Sequence, residues 1–324
     1  MIVVSIKGGL GNQLFQYATA RSLAEKHDTV VKIDLSFFDY WTDENRAYRS
    51  PSDTVYYHLD NFDIVGTEAD RGDINSVIRF GERGKRVAEV LTSSRISPYL
   101  ERFRREYGLA GRLLNYYGER TPDQGRFNPA ILEAGPNCYL NGYWESPKYF
   151  EDIRGILASE FTPATELSAQ SRQVLERIQE MPSVGLHVRR GDLVEFDNAL
   201  PETYFERAIA EFADKDIRFF IFSVDPDWVA EHIDIDAPVE YVDHYHPDEG
   251  TRTPMAWEYL VLMNCCDHKI ISNSTFSWWA AWLDYDSNTK ILCPAIWRPN
   301  HPQDGMKYVR NLNLIPDSWE VIQW

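Results

Sequence analysis

The sequence predicts an α/β protein built as two halves, each a parallel sheet with helices on both faces. Three observations lead there. Short apolar runs alternate with helical patterns almost from end to end, the signature of parallel strands joined by helices. The first apolar run passes through a glycine turn straight into a helix. The chain has 324 residues, 44% of them hydrophobic, enough for two cores.

In the first half, Ile2 to Ile6 is a continuous apolar run of strand type. It ends in Lys7-Gly8-Gly9-Leu10-Gly11-Asn12-Gln13. Leu14 to Ala24 then reads as a helix, with Leu14, Tyr17, Ala18, Arg21 and Ala24 at helical spacing. Strand, glycine turn and helix open a Rossmann-like half, and Val30 to Asp34 is its second strand. Gly9 and Gly11 let backbone approach a ligand closely, and a helix N-terminus attracts anions. The alternative is a glycine-rich turn that holds nothing, because the third glycine of the dinucleotide fingerprint is absent. Residues 35–70 show no clear period. Residues 71–120 hold eleven Lys and Arg against six Asp and Glu, a local charge of +5, which leaves −22 for the remainder. Within them Val87 to Leu114 reads as inserted helices. Cys138 to Trp144 is another strand into a loop, and Ser146-Pro147 is expected to cap and open a helix through Leu157.

Thr162-Pro163 reads as the linker, so residues 1–162 and 163–324 form the two halves, with the last residues free to cross back. Glu166 to Glu180 is an amphipathic helix leading to the apolar run Ser183-Val184-Gly185. Helices follow at Glu202 to Phe212, Asp227 to His232, Thr253-Pro254 to Cys265, and Phe276 to Leu283. Strands alternate with them at Ile217 to Phe222, Val239 to Val242, Lys269 to Ser272 and Lys290 to Cys293. Two Rossmann-like halves facing a cleft is the expected architecture.

The formal charge of −17 argues against nucleic acid as a partner, since backbone binding needs a basic surface. Four cysteines, Cys138, Cys265, Cys266 and Cys293, lie in apolar surroundings without a Cys-x-x-Cys pair, and read as buried free thiols of a reducing compartment. The N-terminal run is too short for a signal peptide and no apolar run approaches 18 residues, so a soluble, cytoplasmic protein is expected.

The chemistry gathers at Leu186-His187-Val188-Arg189-Arg190-Gly191-Asp192. Two adjacent arginines at a strand's carboxyl end are costly to desolvate unless an anion meets them, and the guanidinium fork suits phosphate oxygens. Ligands of open α/β sheets bind outside the carboxyl ends of the strands. The alternative is a surface salt-bridge cluster. Two further strand ends carry polar clusters, Ser223-Val224-Asp225 and Ser272-Asn273-Ser274-Thr275. The second opens a helix, where hydroxyls and free N–H groups form an anion cradle. Together they suit a nucleotide diphosphate. The block Phe276 to Trp282 reads as core before base-stacking platform. Asp225-Pro226-Asp227 could pass for a metal pair, but carboxylates around a proline at a helix start are more often caps.

Gly8-Gly9-Leu10-Gly11-Asn12-Gln13-Leu14-Phe15-Gln16-Tyr17-Ala18, His187-Val188-Arg189-Arg190-Gly191-Asp192 and Ser272-Asn273-Ser274-Thr275-Phe276-Ser277-Trp278-Trp279 resemble three signatures of the α-1,2-fucosyltransferases, the bacterial type of glycosyltransferase family 11. Gly142-Tyr143-Trp144-Glu145-Ser146-Pro147-Lys148-Tyr149-Phe150 resembles a fourth. The resemblance runs from residue 2 to about 297, apart from residues 40–125. It implies a GT-B fold, an acceptor-side first half, a GDP-β-L-fucose-binding second half, and inverting transfer to the 2-hydroxyl of a sugar, usually galactose, with no metal and no cofactor. Two departures stand out. Family members often have Phe-Ser-Asp-Asp where Phe222-Ser223-Val224-Asp225 keeps one carboxylate. They often carry an acidic residue four positions before the Met of the next helix, where Tyr259 stands here with Glu258 just before it.

The roles that follow are expectations. Arg189 or Arg190, with Ser274 and Thr275, stabilises charge on the departing β-phosphate. Alternation sends the two arginines different ways, one to phosphate and one to brace the loop. His187 bonds the ribose or a phosphate, or is a satisfied structural histidine. Asp192 is a base or a loop anchor, and Asn12 holds the acceptor hydroxyl or the fucose. Gly9, Gly11, Gln13, Ser223, Asp225, Glu258, Asn273 and Phe276 complete the substrate-binding set. The expected partners are GDP-fucose and a galactose-terminated or lipid-linked glycan. Arg102, Arg104, Arg105 and Arg112 are either a solvated helical face or a peripheral contact with the anionic inner membrane face. Two other classes stay open: a non-catalytic nucleotide-sugar or glycan-binding protein, and a transferase using another GDP- or UDP-sugar.

Overall fold

The computed structural model describes residues 1–40, 56–92, 113–119, 125–213, 215–242, 256–284, 286, 288–300 and 313–324. They fall into two compact units, one ending at Thr162 and the other running from Pro163 to Trp324.

The first unit runs β1 (Ile2–Ser5), α1 (Leu10–Lys26), β2 (Val31–Asp34), α2 (Ser36–Tyr40), β3 (Thr67–Glu68), α3 (Arg71–Val77), α4 (Gly81–Thr92), β4 (Tyr116–Gly118), β5 (Cys138–Asn141) and α5 (Arg154–Glu160). Its described strands pair in the order β3-β2-β1-β5-β4, every pair parallel. β1 is buried on both faces, as its unbroken apolar run requires. Val3, Tyr116 and Tyr139 pack against Ile74, Val77, Ile78 and Ala88 of the α3–α4 segment. The insertion expected over 71–120 therefore contributes the helices that cover one sheet face. Arg102, Arg104, Arg105 and Arg112 lie outside the described residues.

The second unit runs α6 (Ala169–Gln179), β6 (Ser183–Val188), α7 (Asp192–Glu195), α8 (Glu202–Ala210), β7 (Arg218–Ser223), α9 (Pro226–His232), β8 (Val239–Tyr241), α10 (Ala256–Asn264), β9 (His268–Ile270), α11 (Thr275–Trp282), β10 (Ile291–Pro294) and β11 (Glu320–Ile322). The strand order is β11-β10-β9-β6-β7-β8, again parallel throughout. Val184, Leu186 and Val188 of β6 share a core with Phe219 and Ile221 of β7 and Tyr204, Phe205 and Ala208 of α8. Trp278 and Trp279 are fully buried, which confirms α11 as a core helix, and the Trp278 indole donates to the Leu314 carbonyl at 2.8 Å.

The α/β class and the two parallel sheets are as the sequence predicts. Several details differ. α1 begins at Leu10 rather than Leu14, so Gly11, Asn12 and Gln13 are helical. Ser146 does not cap a helix: Pro147–Tyr149 and Glu151–Ile153 are single 3₁₀ turns, and the α-helix starts only at Arg154. Glu320–Ile322 pairs with β10, so the last residues stay in the second unit. β3, β4 and β11 are two or three residues long, too short to show a period in sequence. Cys138, Cys266 and Cys293 are buried free thiols, but Cys265 is exposed. The expected opening of α10 at Thr253-Pro254 lies outside the described residues.

Candidate active site

The strand order of the second sheet reverses once. In the second unit β7 and β8 lie to one side of β6, and β9, β10 and β11 to the other, so the reversal falls between β6 and β9. Diverging connections leave a crevice there, outside the carboxyl ends of the strands. Arg189 and Arg190 follow β6, and Ser272 to Thr275 follow β9. The Ser272 hydroxyl ties the two together: it donates to the His187 carbonyl at 2.6 Å and accepts the Arg189 N–H at 3.0 Å.

The two arginines part as alternation predicts. Arg189 Nη2 reaches Asp192 Oδ1 at 2.5 Å. The Arg190 guanidinium stacks on Trp228, 3.7 Å from the ring centroid, and its Nε reaches Asp225 Oδ2 at 3.3 Å. Asp225 is thus an arginine partner, although it stands at the N-cap position of α9, where its side chain makes no cap bond. Asp192 anchors Arg189 from the first turn of α7. Ser223 is a brace: its hydroxyl donates to the Val188 carbonyl at 2.9 Å and accepts the Asp225 N–H at 3.0 Å.

Among the described residues, two buried polar atoms at this edge have no partner. His187 is 8% exposed, its Nδ1 bonds to nothing, and its ring stands 5.2 Å from that of Phe276. Burial and then the charge of Arg189 push its pKa down to about 3, so the ring is neutral near pH 7. The Asn273 amide nitrogen donates to the Asn198 and Trp297 carbonyls at 2.8 and 3.0 Å, while its Oδ1 is buried and unpartnered. Buried polar atoms are nearly always satisfied, so these two are groups able to take a further bonding partner. Ser274 holds the N-cap position of α11 without a side-chain cap bond, and Thr275 and Phe276 begin its first turn, which holds no acidic residue. That end of the helix attracts negative charge.

In the first unit β1 and β5 are parallel neighbours, and the turn after β1 lies beside the Gly142 turn after β5. Gly8 has φ +78°, and a Cβ there would lie 2.8 Å from Asn12 Nδ2 and 3.4 Å from the Tyr143 ring, so both side chains close over a glycine. Gly9 is exposed at the N-cap of α1 and Gly11 is buried in its first turn. The sequence motif's glutamines hold the turn from behind. Gln16 accepts the Lys7 N–H at 2.9 Å and donates to the Lys7 carbonyl at 3.1 Å. Gln13 donates to the Gly8 and Tyr56 carbonyls and accepts the His58 N–H. Gln13, expected to touch substrate, is fully buried with its amide engaged by backbone, and serves as a brace.

Glu258 is also corrected. It is buried in the first turn of α10, where its carboxylate accepts the Ser168 N–H at 3.0 Å, the Ser168 hydroxyl at 2.8 Å and the Ser171 hydroxyl. Ser168 is the N-cap of α6. Glu258 therefore secures the start of α6. Its bonds are made within the fold, and its place in a substrate-binding set has no support in them.

Sequence reasoning missed Trp228, Lys7, Asn141, Tyr143 and Glu119. Lys7 Nζ donates to Asn141 Oδ1 at 2.8 Å and lies 5.0 Å from the Tyr143 ring centroid. Glu119, just past β4, accepts backbone N–H groups of Tyr143, Trp144 and Gly125. Tyr116-Tyr117-Gly118-Glu119, an apolar triplet ending in a carboxylate, was the available signal. Among the described residues no group of three or more His, Cys, Asp or Glu could hold a metal ion. Nor is any described helix long and apolar enough to cross a membrane.

The chain is similar to several known glycosyltransferases. The chain is 27% identical over 306 residues to the O-antigen biosynthesis glycosyltransferase WbnK of Escherichia coli, covering 90% of this chain and 93% of that one. It is 25% identical to an alpha-1,2-colitosyltransferase of Escherichia coli, over 92% of each. It is 28% identical over 166 residues to galactoside alpha-(1,2)-fucosyltransferase 1 of Leontopithecus chrysomelas, covering 46% of this chain and 43% of that one. The model of glycosyl transferase family 11 matches residues 126–307, more than half of the chain, and the chain belongs to that family.

Proposed function

We propose that this glycosyltransferase moves L-fucose from GDP-β-L-fucose, with inversion, to the 2-hydroxyl of a galactose residue in an oligosaccharide or surface glycan. One observation carries the reading. The β6–β9 crevice brings two arginines, the N-terminus of α11 and two unpartnered buried polar atoms to one edge. A nucleoside diphosphate supplies both the charge and the hydrogen-bonding groups that such an edge lacks. The relatives' activities on fucose-like sugars and α-1,2 linkages support the choice of sugar and linkage.

The reaction is a single displacement through an oxocarbenium-like transition state. As the C1–O bond breaks, negative charge grows on the β-phosphate oxygen. Arg189 or Arg190, with Ser274 and Thr275, receives it; losing one such donor costs about 3–4 kcal/mol of barrier. Neutral His187 bonds the nucleotide through Nδ1. The arginines neutralise the leaving group, so no metal or cofactor is required. Asn12, at the Gly8 turn of the first unit, holds the acceptor hydroxyl or the fucose. Arg102, Arg104, Arg105 and Arg112, which lie outside the described residues, steer the acceptor-side unit toward contact with an anionic membrane face. Salt-sensitive co-sedimentation with anionic vesicles tests that contact.

Incubating the protein with GDP-fucose and lactose, N-acetyllactosamine or galactosyl-β-1,3-N-acetylgalactosamine tests the function. An α-1,2-fucosylated product is expected from at least one acceptor. Absence of product with GDP-fucose, alongside product with a UDP-sugar, would replace this donor with another.

A further inference from the structure

We propose that Glu119 is a positioning residue for the acceptor sugar: it locks the Gly142–Trp144 turn and so fixes the Tyr143 ring beside Lys7 and the Gly8 turn. This rests on the reading that the first unit takes the acceptor.

The geometry is specific. β4 and β5 are neighbours, so their carboxyl ends place Glu119 beside the turn that leaves β5. The turn is an uncomfortable one. Trp144 has φ +54°, a left-handed conformation that costs a non-glycine residue roughly 1–2 kcal/mol. Its indole folds back over Gly142, where a Cβ would stand 2.6 Å from the ring and 2.5 Å from the Glu119 Cβ. Glu119 Oε2 accepts the Tyr143 N–H at 2.5 Å and the Trp144 N–H at 3.3 Å, and Oε1 accepts the Gly125 N–H at 3.2 Å. One carboxylate thus gathers the two successive amides that lead into the strained residue, and a third from Gly125. Strain of this kind persists only where the surroundings hold it, and it concentrates at functional sites.

What the lock presents is suited to a neutral polyol. The half-exposed Tyr143 ring lies next to the Lys7 ammonium and the Gly8 backbone. Asn141 links Lys7 to the Tyr116 hydroxyl, with its Nδ2 donating to that oxygen at 2.6 Å. An aromatic ring with an ammonium over one face, itself held by an amide, offers both a stacking surface and a hydrogen-bond donor suited to a sugar. The two sequence motifs 8–18 and 142–150, which follow β1 and β5, meet at this spot.

The lock is also sensitive to pH. Burial raises the Glu119 pKa to about 7, its N–H bonds oppose that shift, and Glu145 adds to it. Among the described residues the ionisable groups facing it are Lys7 from the turn after β1, Glu145 from the loop after β5, and Tyr149 from the 3₁₀ turn beyond. The ionised carboxylate holds the amides more strongly than the acid, so the site tightens as pH rises through neutrality.

The test is the kinetics of Glu119→Gln and Tyr143→Ala against the acceptor that the wild-type enzyme uses best. GDP affinity and amide hydrogen exchange are read alongside. Expected are a rise of about tenfold in acceptor KM for both variants with kcat within about threefold, and unchanged GDP affinity. The Tyr143 and Trp144 amides should exchange faster in Glu119→Gln. Wild-type acceptor KM should rise as pH falls below about 7, and lose that dependence in Glu119→Gln. Wild-type KM and exchange in the variants, a fall in kcat alone, or parallel loss of GDP affinity would each overturn the proposal. If Glu119→Gln does not fold, Tyr143→Ala decides, since unchanged acceptor KM there also overturns it. Failure of the wild-type enzyme to use any acceptor would instead count against the functional reading, and the exchange of the two amides would still decide whether Glu119 holds the turn.

Discussion

The β6–β9 and β1–β5 edges differ in side-chain chemistry. At each, two neighbouring parallel strands end in adjacent turns. At β6–β9 the turns carry arginines, each balanced by a carboxylate, Arg189 by Asp192 and Arg190 by Asp225. Two buried polar atoms there are left open. At β1–β5 the turn is glycine, its backbone is clamped by Gln13 and Gln16, and the neighbouring charges are a half-buried lysine and a carboxylate engaged with amides. On the function proposed above, the first arrangement suits an anion and the second an uncharged sugar.

Removing charge from the second edge should break this contrast most severely. At least one of Arg189→Ala and Arg190→Ala is expected to lower turnover by about 100-fold or more, as loss of a transition-state partner does. Turnover within a few-fold in both variants, measured at saturating donor, would make the edge a structural salt-bridge cluster. Glu258→Ala sharpens the contrast from the other side, because Glu258 belongs to neither edge. Leaving the half-buried Ser168 and the buried Ser171 hydroxyls without their acceptor should destabilise the fold by about 1–3 kcal/mol in denaturant unfolding, with GDP affinity within a few-fold. A selective loss of GDP binding would return Glu258 to the nucleotide site.

A smaller effect separates the two carboxylate environments by pH. Glu119 has its folded pKa raised from 4.5 to about 7, so its contribution to stability is fully present below pH 4.5 and is lost as pH rises through about 7. Thermal unfolding should therefore show Glu119→Gln gaining on the wild type between pH 5 and 8, and a constant difference would remove the titration. The smallest expected effect is that of chelation: EDTA should leave transfer essentially intact, because the arginines take the leaving-group charge. Loss of activity that manganese restores would show that a metal shares that task.

The second edge was largely legible in the sequence. Arg189 and Arg190 stand in a row after a buried strand, and the Ser272–Thr275 cluster opens an apolar helix, so local order placed them correctly. The first edge was legible only in part. The glycine turn and its helix were plain, but Glu119 follows a three-residue strand that pairs with one starting twenty-two residues later, and nothing local reveals that pairing. Gln13 and Glu258 misled for a related reason: polar residues in or near a motif look like ligand contacts, while burial turns them into braces for backbone and helix starts. Asp225 gave a third lesson. A carboxylate before proline at a helix start reads as a cap, yet the nearer arginine takes it.

The most direct test of the central claim, that the β6–β9 edge is a guanosine diphosphate site, is calorimetric titration of the wild-type protein and of Arg190→Ala with GDP, UDP and ADP. The account predicts GDP binding by the wild type at least about tenfold tighter than UDP or ADP, and a loss of about tenfold or more in Arg190→Ala, the 1.4 kcal/mol or more expected of a charge-assisted phosphate contact. Equal affinity for all three nucleotides, or unchanged GDP affinity in the variant, would contradict it.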